Sequence, residues 1–148
     1  MNETNLACWY RVGVKAVVIK DDSVLLVKEG SDLWDFPGGG LEHEETIHSG
    51  LLREASEELN AELASHNKKP IYVGKSYDPI NERPVIVLYF TARLASDNFH
   101  FGDSVTDISY RKISDLNTDM FEPYMQPYIH ELLDILKQEV VSGGYAQI

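Results

Sequence analysis

The sequence predicts an α+β fold, a mixed β-sheet with two helices packed on it. Two observations lead there. Runs of β-branched and apolar residues stand before, between and after two stretches of helical periodicity. One of those runs, Val85 to Leu94, is nearly continuous in apolar residues, as a central strand covered on both faces must be. A chain of 148 residues with 43% apolar and 10% aromatic content is most simply one domain with one proper core.

The elements follow in order. Val12 to Ile19 is a β-branched run, Asp21-Asp22 is a turn and Val24 to Lys28 returns, which makes a hairpin. Glu29 to Asp32 is a polar loop. Trp34-Asp35-Phe36-Pro37 then leads into Gly38-Gly39-Gly40, where the backbone can take positive φ and approach a ligand closely. Thr46 is the N-cap of a helix that runs to about Leu59. Leu51, Leu52, Ala55 and Leu59 form its apolar side, and Asn60 stands where a helix end needs a left-handed residue. Pro70 to Tyr77, Val85 to Leu94 and Ser109 to Ile113 are strands. A last amphipathic helix begins at Met125 or Pro127 and ends about Val141, with Ile129, Leu132, Leu133, Leu136 and Val140 as its stripe. Ser142 to Tyr145 is a loose tail.

Charge narrows the function. The formal net charge is −11, so the surface repels bulk nucleic acid and anionic membranes, and neither is an expected partner. A small phosphorylated ligand remains open if metal ions neutralise the contact. Cys8 is the only cysteine, so no intrachain disulfide forms, and a reducing, cytoplasmic setting is expected. The start, MNETNLACWYRVG, has neither the basic nor the apolar region of a signal peptide. Without one, the Asn2-Glu3-Thr4 sequon carries no weight. No apolar run is long enough to span a bilayer. The glycines at 38–40 lack the third glycine of a dinucleotide fingerprint, and no Walker lysine motif is present. His130-Glu131-Leu132-Leu133-Asp134 ends in Asp where a zinc-protease helix needs His.

The chemistry concentrates in Gly39 to Ala61. Glu54, Glu57 and Glu58 fall within roughly a 100° arc of the first helix, at spacings where like charges repel. Arg53 offers the only local compensation. A divalent cation converts that repulsion into a chelate, because hard Mg²⁺ or Mn²⁺ prefers oxygen ligands.

This segment resembles the signature of the Nudix hydrolases, the MutT-like family, written G-x5-E-x7-R-E-U-x-E-E-x-G-U with U a bulky aliphatic residue. Gly39, Glu45, Arg53, Glu54, Glu57 and Glu58 stand at its fixed positions with matching spacing. Ala55 and Ala61 replace bulky aliphatics, Asn60 replaces the glycine, and Glu44 stands where many relatives have glycine. Ala55, Asn60 and Ala61 are packing and capping positions, so they bear on stability more than on chemistry.

The resemblance implies a Nudix fold, an αβα sandwich whose central mixed sheet carries a catalytic loop–helix–loop. It implies metal-dependent hydrolysis of the pyrophosphate bond in a nucleoside diphosphate linked to another moiety: a nucleoside triphosphate, an ADP-sugar or a dinucleoside polyphosphate. It implies Mg²⁺ or Mn²⁺ on the side chains of Glu54, Glu57 and Glu58 and the Gly39 carbonyl. Arg53 then fixes a glutamate rotamer, and Glu45 either supports it or simply complements the helix dipole. The general base is Glu57 or a carboxylate from a later loop, for which Glu82, Asp103 and Asp107 are the candidates. For substrate, Trp34, Phe36 and Tyr77 are candidates to stack on a base, with core packing the alternative for Trp34 and Phe36, and Arg11, Lys15, Lys28 and Arg83 are candidates to meet phosphate. Tyr77 follows the signature by sixteen residues, like a tyrosine of dinucleoside polyphosphate hydrolases, while Pro79 echoes the ADP-ribose group. A homodimer is compatible with this reading. The alternatives are a non-catalytic nucleotide-sensing or protein-binding module on the same fold, and an isomerase acting on an isoprenoid diphosphate.

Overall fold

The computed structural model describes residues 8–102 and 104–142, with side chains to residue 140. The sequon at 2–4, Asp103 and the tail beyond Ser142 lie outside the described residues.

Strand β1 (Arg11–Lys20) turns at Asp21, in left-handed conformation, into β2 (Ser23–Lys28). Next come β3 (Gly38–Gly40), helix α1 (Ile47–Leu59), β4 (Leu63–His66), β5 (Tyr72–Asp78), β6 (Arg83–Leu94) and β7 (Asp107–Lys112). Three short 3-10 turns at 113–115, 118–120 and 123–125 lead to α2 (Ile129–Ser142). The last helix thus begins two residues after the later of its two expected starts, because Pro123 opens a separate turn ahead of it.

The seven strands form one sheet with the path β4-β6-β1-β2-β7, while β3 pairs with β1 and β5 with β6. Strands β1 and β6 run parallel, from Arg11 opposite Val85 to Val18 opposite Ala92, and the other pairs are antiparallel. The expected mixed sheet is therefore present, and β6 is interior as its apolar run requires. Two strands escape sequence patterning. Strand β3 is three glycines and β4 is the short run Leu-Ala-Ser-His, with no β-branched or aromatic strand former, so both exist through pairing rather than propensity.

Successive residues of β1 face opposite sides of the sheet. Val14, Ala16 and Val18 pack with Leu51, Ala55 and Leu59 of α1. Val17 belongs to the other core, with Val85, Val87 and Tyr89 of β6 and Ile129, Leu132 and Leu136 of α2. One helix covers each face, and burying each large apolar side chain contributes about 1.5–3 kcal/mol. Among the described residues no helix is long and apolar enough to cross a membrane.

Candidate active site

Glycine allows the acidic helix to approach the sheet. In β3, Gly38 has φ 140°, and a Cβ there would lie 2.0 Å from the Val14 carbonyl oxygen. A Cβ on Gly39 would lie 2.6 Å from Glu54 Oε1, so the missing side chain is the space that the carboxylate occupies. Helix α1 is aimed by its caps. Thr46 Oγ1 accepts from Ser49 N at 3.1 Å and Ser49 Oγ accepts from Thr46 N at 3.0 Å. At the other end Asn60 has φ 48°, as a left-handed cap should. The chain at 100–102 holds that end, with His100 N donating to Leu59 O at 2.8 Å and Gly102 N to Glu58 O at 2.9 Å.

Arg53 organises the acidic face. Its Nε and Nη2 grip Glu45 at 2.5 and 2.8 Å. Its Nη1 reaches Glu54 Oε1 at 2.9 Å and Glu57 Oε2 at 3.1 Å, and Nη2 also donates to the Gly40 carbonyl at 3.1 Å. These five bonds match the five N–H groups of a guanidinium. Bonds from Arg53 and from the Glu42 backbone hold Glu45 down at about 2.

Glu54 and Glu58 are buried, which is unusual for carboxylates. Glu58 accepts from Gly38 N at 2.6 Å, and Glu29 lies against it. Burial, and then the Glu29 carboxyl, push Glu58 up to about 10. Burial also raises Glu54, against the lowering pull of Arg53. Glu57 keeps about half of its side chain exposed. Among the described residues no three acidic, histidine or cysteine groups enclose a cation as they stand. Glu54 and Glu57 turn to Arg53, and Glu58 turns to Gly38. The donors are nonetheless all oxygens, and two are carboxyls whose burial disfavours the bare charge, so the set fits a hard divalent cation.

Beside the acidic helix opens a cleft of about 290 Å³. It brings Arg11, Lys15 and Arg83 together with Gly38, Gly39 and Gly40, over a floor of Gly13, Val85 and Val87. The Arg11 guanidinium lies over Gly40 and donates to the Leu41 carbonyl. Lys15 is buried, yet its charge persists. Burial opposes it, but the Asp35 carboxylate, bonded to the ammonium, leads the acidic groups that raise its pKa above the ordinary value. At the mouth, Asp78 accepts from Ile80 N at 3.0 Å and from Asn81 Nδ2 at 2.8 Å.

Some expected contacts fall elsewhere. Phe36 has no exposed surface; it stacks on Phe121 at 5.8 Å and meets the edge of Tyr89 at 5.5 Å. Its assignment as a base-stacking residue is therefore corrected, since a core ring cannot reach a ligand. Trp34 is 5% exposed, with Lys28 Nζ at 4.6 Å and Arg111 at 5.4 Å from its ring, so both Trp34 and Lys28 are engaged away from the cleft. Tyr77 is exposed, but strand alternation turns Asp78 to the cleft and Tyr77 off it. Glu82 sits at the β5–β6 turn with φ 53°, outside the cleft lining. Asp107 opens β7 opposite Lys28. Patterning missed Glu29, Asp35, Tyr124 and Asn81. The only local signal was the polar loop that starts at Glu29.

A family model described as the NUDIX domain matches residues 9–132. The chain belongs to the Nudix hydrolase family, and so to the enzymes that hydrolyse acid anhydrides. A MutT-like protein of Streptomyces ambofaciens is 26% identical over 117 residues, which cover 78% of this chain and 72% of that one. A NUDIX hydrolase structure from Nitrosomonas europaea superposes with a TM-score of 0.71 at 20% identity, over 88% of this chain and 90% of its own. An ADP-ribose pyrophosphatase from Streptococcus suis gives 0.67 at 17% identity, over 88% and 92%. At such identities these structures establish the fold.

Proposed function

We propose that this single Nudix domain is a cytoplasmic, divalent-cation-dependent pyrophosphohydrolase. Its substrate is a nucleoside diphosphate joined to a further group, of nucleoside triphosphate, ADP-sugar or dinucleoside polyphosphate type. The products are a nucleoside monophosphate and a phosphorylated remainder. One observation carries the reading: buried carboxyls on α1 lie against the Gly38–Gly39 backbone, beside a cleft that gathers Arg11, Lys15 and Arg83.

Glu54, Glu57 and Glu58, with the Gly39 carbonyl, would hold Mg²⁺ or Mn²⁺. When bound, such a cation would neutralise phosphate charge and lower the pKa of water. The remaining work belongs to the chain. Arg53 positions Glu54 and Glu57 through one nitrogen. Glu57 is the exposed partner of that pair and takes the proton of the attacking water. Arg11, Lys15 and Arg83 orient the diphosphate and offset its charge, and such positioning carries much of a phosphoryl-type transfer.

The test is a panel of nucleoside triphosphates, ADP-sugars and dinucleoside polyphosphates with Mg²⁺ or Mn²⁺, scored for release of monophosphate. Turnover that Glu57→Gln reduces about 10²–10⁴-fold, the usual worth of a general base, is the expected result. Tight nucleotide binding with no product from any member of the panel sinks the assignment.

A further inference from the structure

Between the cleft and the acidic helix runs a buried polar chain, two of whose members, Asp35 and Tyr124, have no role in the proposed reaction. The Tyr124 hydroxyl, from the 3-10 turn Pro123–Met125, donates to the Asp35 carboxylate, with the two oxygens at 2.7 and 2.8 Å. Lys15 Nζ donates to the same carboxylate at 3.2 Å and to the Gly38 carbonyl at 2.9 Å. Gly38 N in turn donates to Glu58 at 2.6 Å. Strand β1 and helix α1 therefore meet at one glycine, and the turn that carries Tyr124 is tied to it through Asp35 and Lys15.

That glycine needs outside support. Strand β3 has only three residues, all glycine, and glycine is the backbone with most freedom to lose. It has no side chain to pack. Two buried or half-buried cations hold it instead: Lys15 takes the Gly38 carbonyl and Arg53 takes the Gly40 carbonyl. Gly39 sits between these clamped neighbours, with the Glu54 carboxylate against it. Arg53 is itself fixed by Glu45, and Asp35 does for Lys15 what Glu45 does for Arg53. A buried ion pair of this kind, with 9% and 14% of its side chains exposed, is not explained by stability alone. Well-packed apolar residues stabilise such a place as well or better.

We propose that Asp35 is a positioning residue of the cation site. It anchors the Lys15 ammonium, and the ammonium fixes the Gly38–Gly39 backbone against which Glu54 and Glu58 lie. Tyr124 holds the far side of Asp35 and acts one step further out. This rests on the cation-dependent reading above. Residues that orient metal ligands in this way are worth about 10–100-fold in metal affinity.

The experiment measures Mn²⁺ binding to the free protein by electron paramagnetic resonance, with thermal unfolding alongside. Asp35→Asn should weaken Mn²⁺ about tenfold or more at temperatures where the variant is folded, and Tyr124→Phe should weaken it less. Lys15→Met should match Asp35→Asn, and the double variant should be no weaker than either single one, because both act through one contact. A folded Asp35→Asn protein with wild-type Mn²⁺ affinity overturns the proposal, as do additive effects in the double variant. If Asp35→Asn does not fold, Lys15→Met and Tyr124→Phe decide in its place, and wild-type affinity in both is refuting. Wild-type protein that binds no Mn²⁺ overturns the cation-dependent reading and this inference together. Wild-type protein that binds Mn²⁺ beside insensitive variants overturns this inference alone.

Discussion

Replacing Gly39 with alanine tests the contact between strand β3 and the acidic helix. A Cβ there would stand 2.6 Å from Glu54 Oε1, 2.9 Å from its carboxyl carbon and 3.0 Å from Oε2. Ordinary contact begins near 3.4 Å, so the carboxylate must retreat by about 0.8 Å. It is the end of a flexible side chain, so the fold tolerates the move. The chemistry does not, since a displacement near 1 Å in a catalytic group costs about 10²-fold in rate. Gly39→Ala should therefore keep its thermal unfolding midpoint within a few degrees, bind Mn²⁺ more weakly and lose about two orders of magnitude in kcat. The neighbouring Gly38→Ala is the contrast. There the obstacle is the Val14 carbonyl at 2.0 Å and φ is 140°, so folding itself should fail. Circular dichroism separates the two variants, and steady-state turnover measures the first. A Gly39→Ala protein with wild-type kcat and Mn²⁺ affinity would refute the idea that Glu54 must lie against that backbone.

Three further outcomes are expected. In cation-free protein the native state keeps a proton on Glu58 that the unfolded chain releases above about 4.5, so this site's contribution to stability falls as pH rises from there towards about 10. Urea unfolding across that window should show the decline, and Glu58→Gln should flatten it. Phe36→Ala should cost about 3–5 kcal/mol in urea unfolding, leaving the KM of the folded fraction unchanged because the ring faces the core. Arg83→Ala should raise KM roughly tenfold or more, the loss of a hydrogen bond to a charged group, with the unfolding midpoint little altered because Arg83 is exposed at the strand's start. An unchanged KM removes Arg83 from the phosphate contacts.

The acidic helix was legible because its logic is local. Spacing placed Glu54, Glu57 and Glu58 on one arc, and the caps Thr46 and Asn60 are read from residues within one turn of each end. The run Val85 to Leu94 announced an interior strand, and β6 is one. What stayed hidden depends on pairing between distant segments. Asp35 and Tyr124 are 89 positions apart, and nothing in either neighbourhood marks them as partners. Glu29 looked like a loop residue because its meeting with Glu58 is made by the sheet, not by sequence distance. Phe36 was misread for a related reason. An aromatic ring in this lead-in to a glycine turn is more often a core plug than a ligand platform, and Phe121 and Tyr89 settle it as core.

The parallel pairing of β1 with β6 is a long-range closure. Residues 11–18 find their partners at 85–92, so the ladder closes a long loop that contains the whole acidic segment. A nascent chain that has emerged only as far as β5 carries the complete signature, yet its first strand still lacks its parallel neighbour. The segment that looks most self-sufficient on paper thus depends on a strand far downstream, and truncations made to isolate it should yield an acidic peptide without the chemistry.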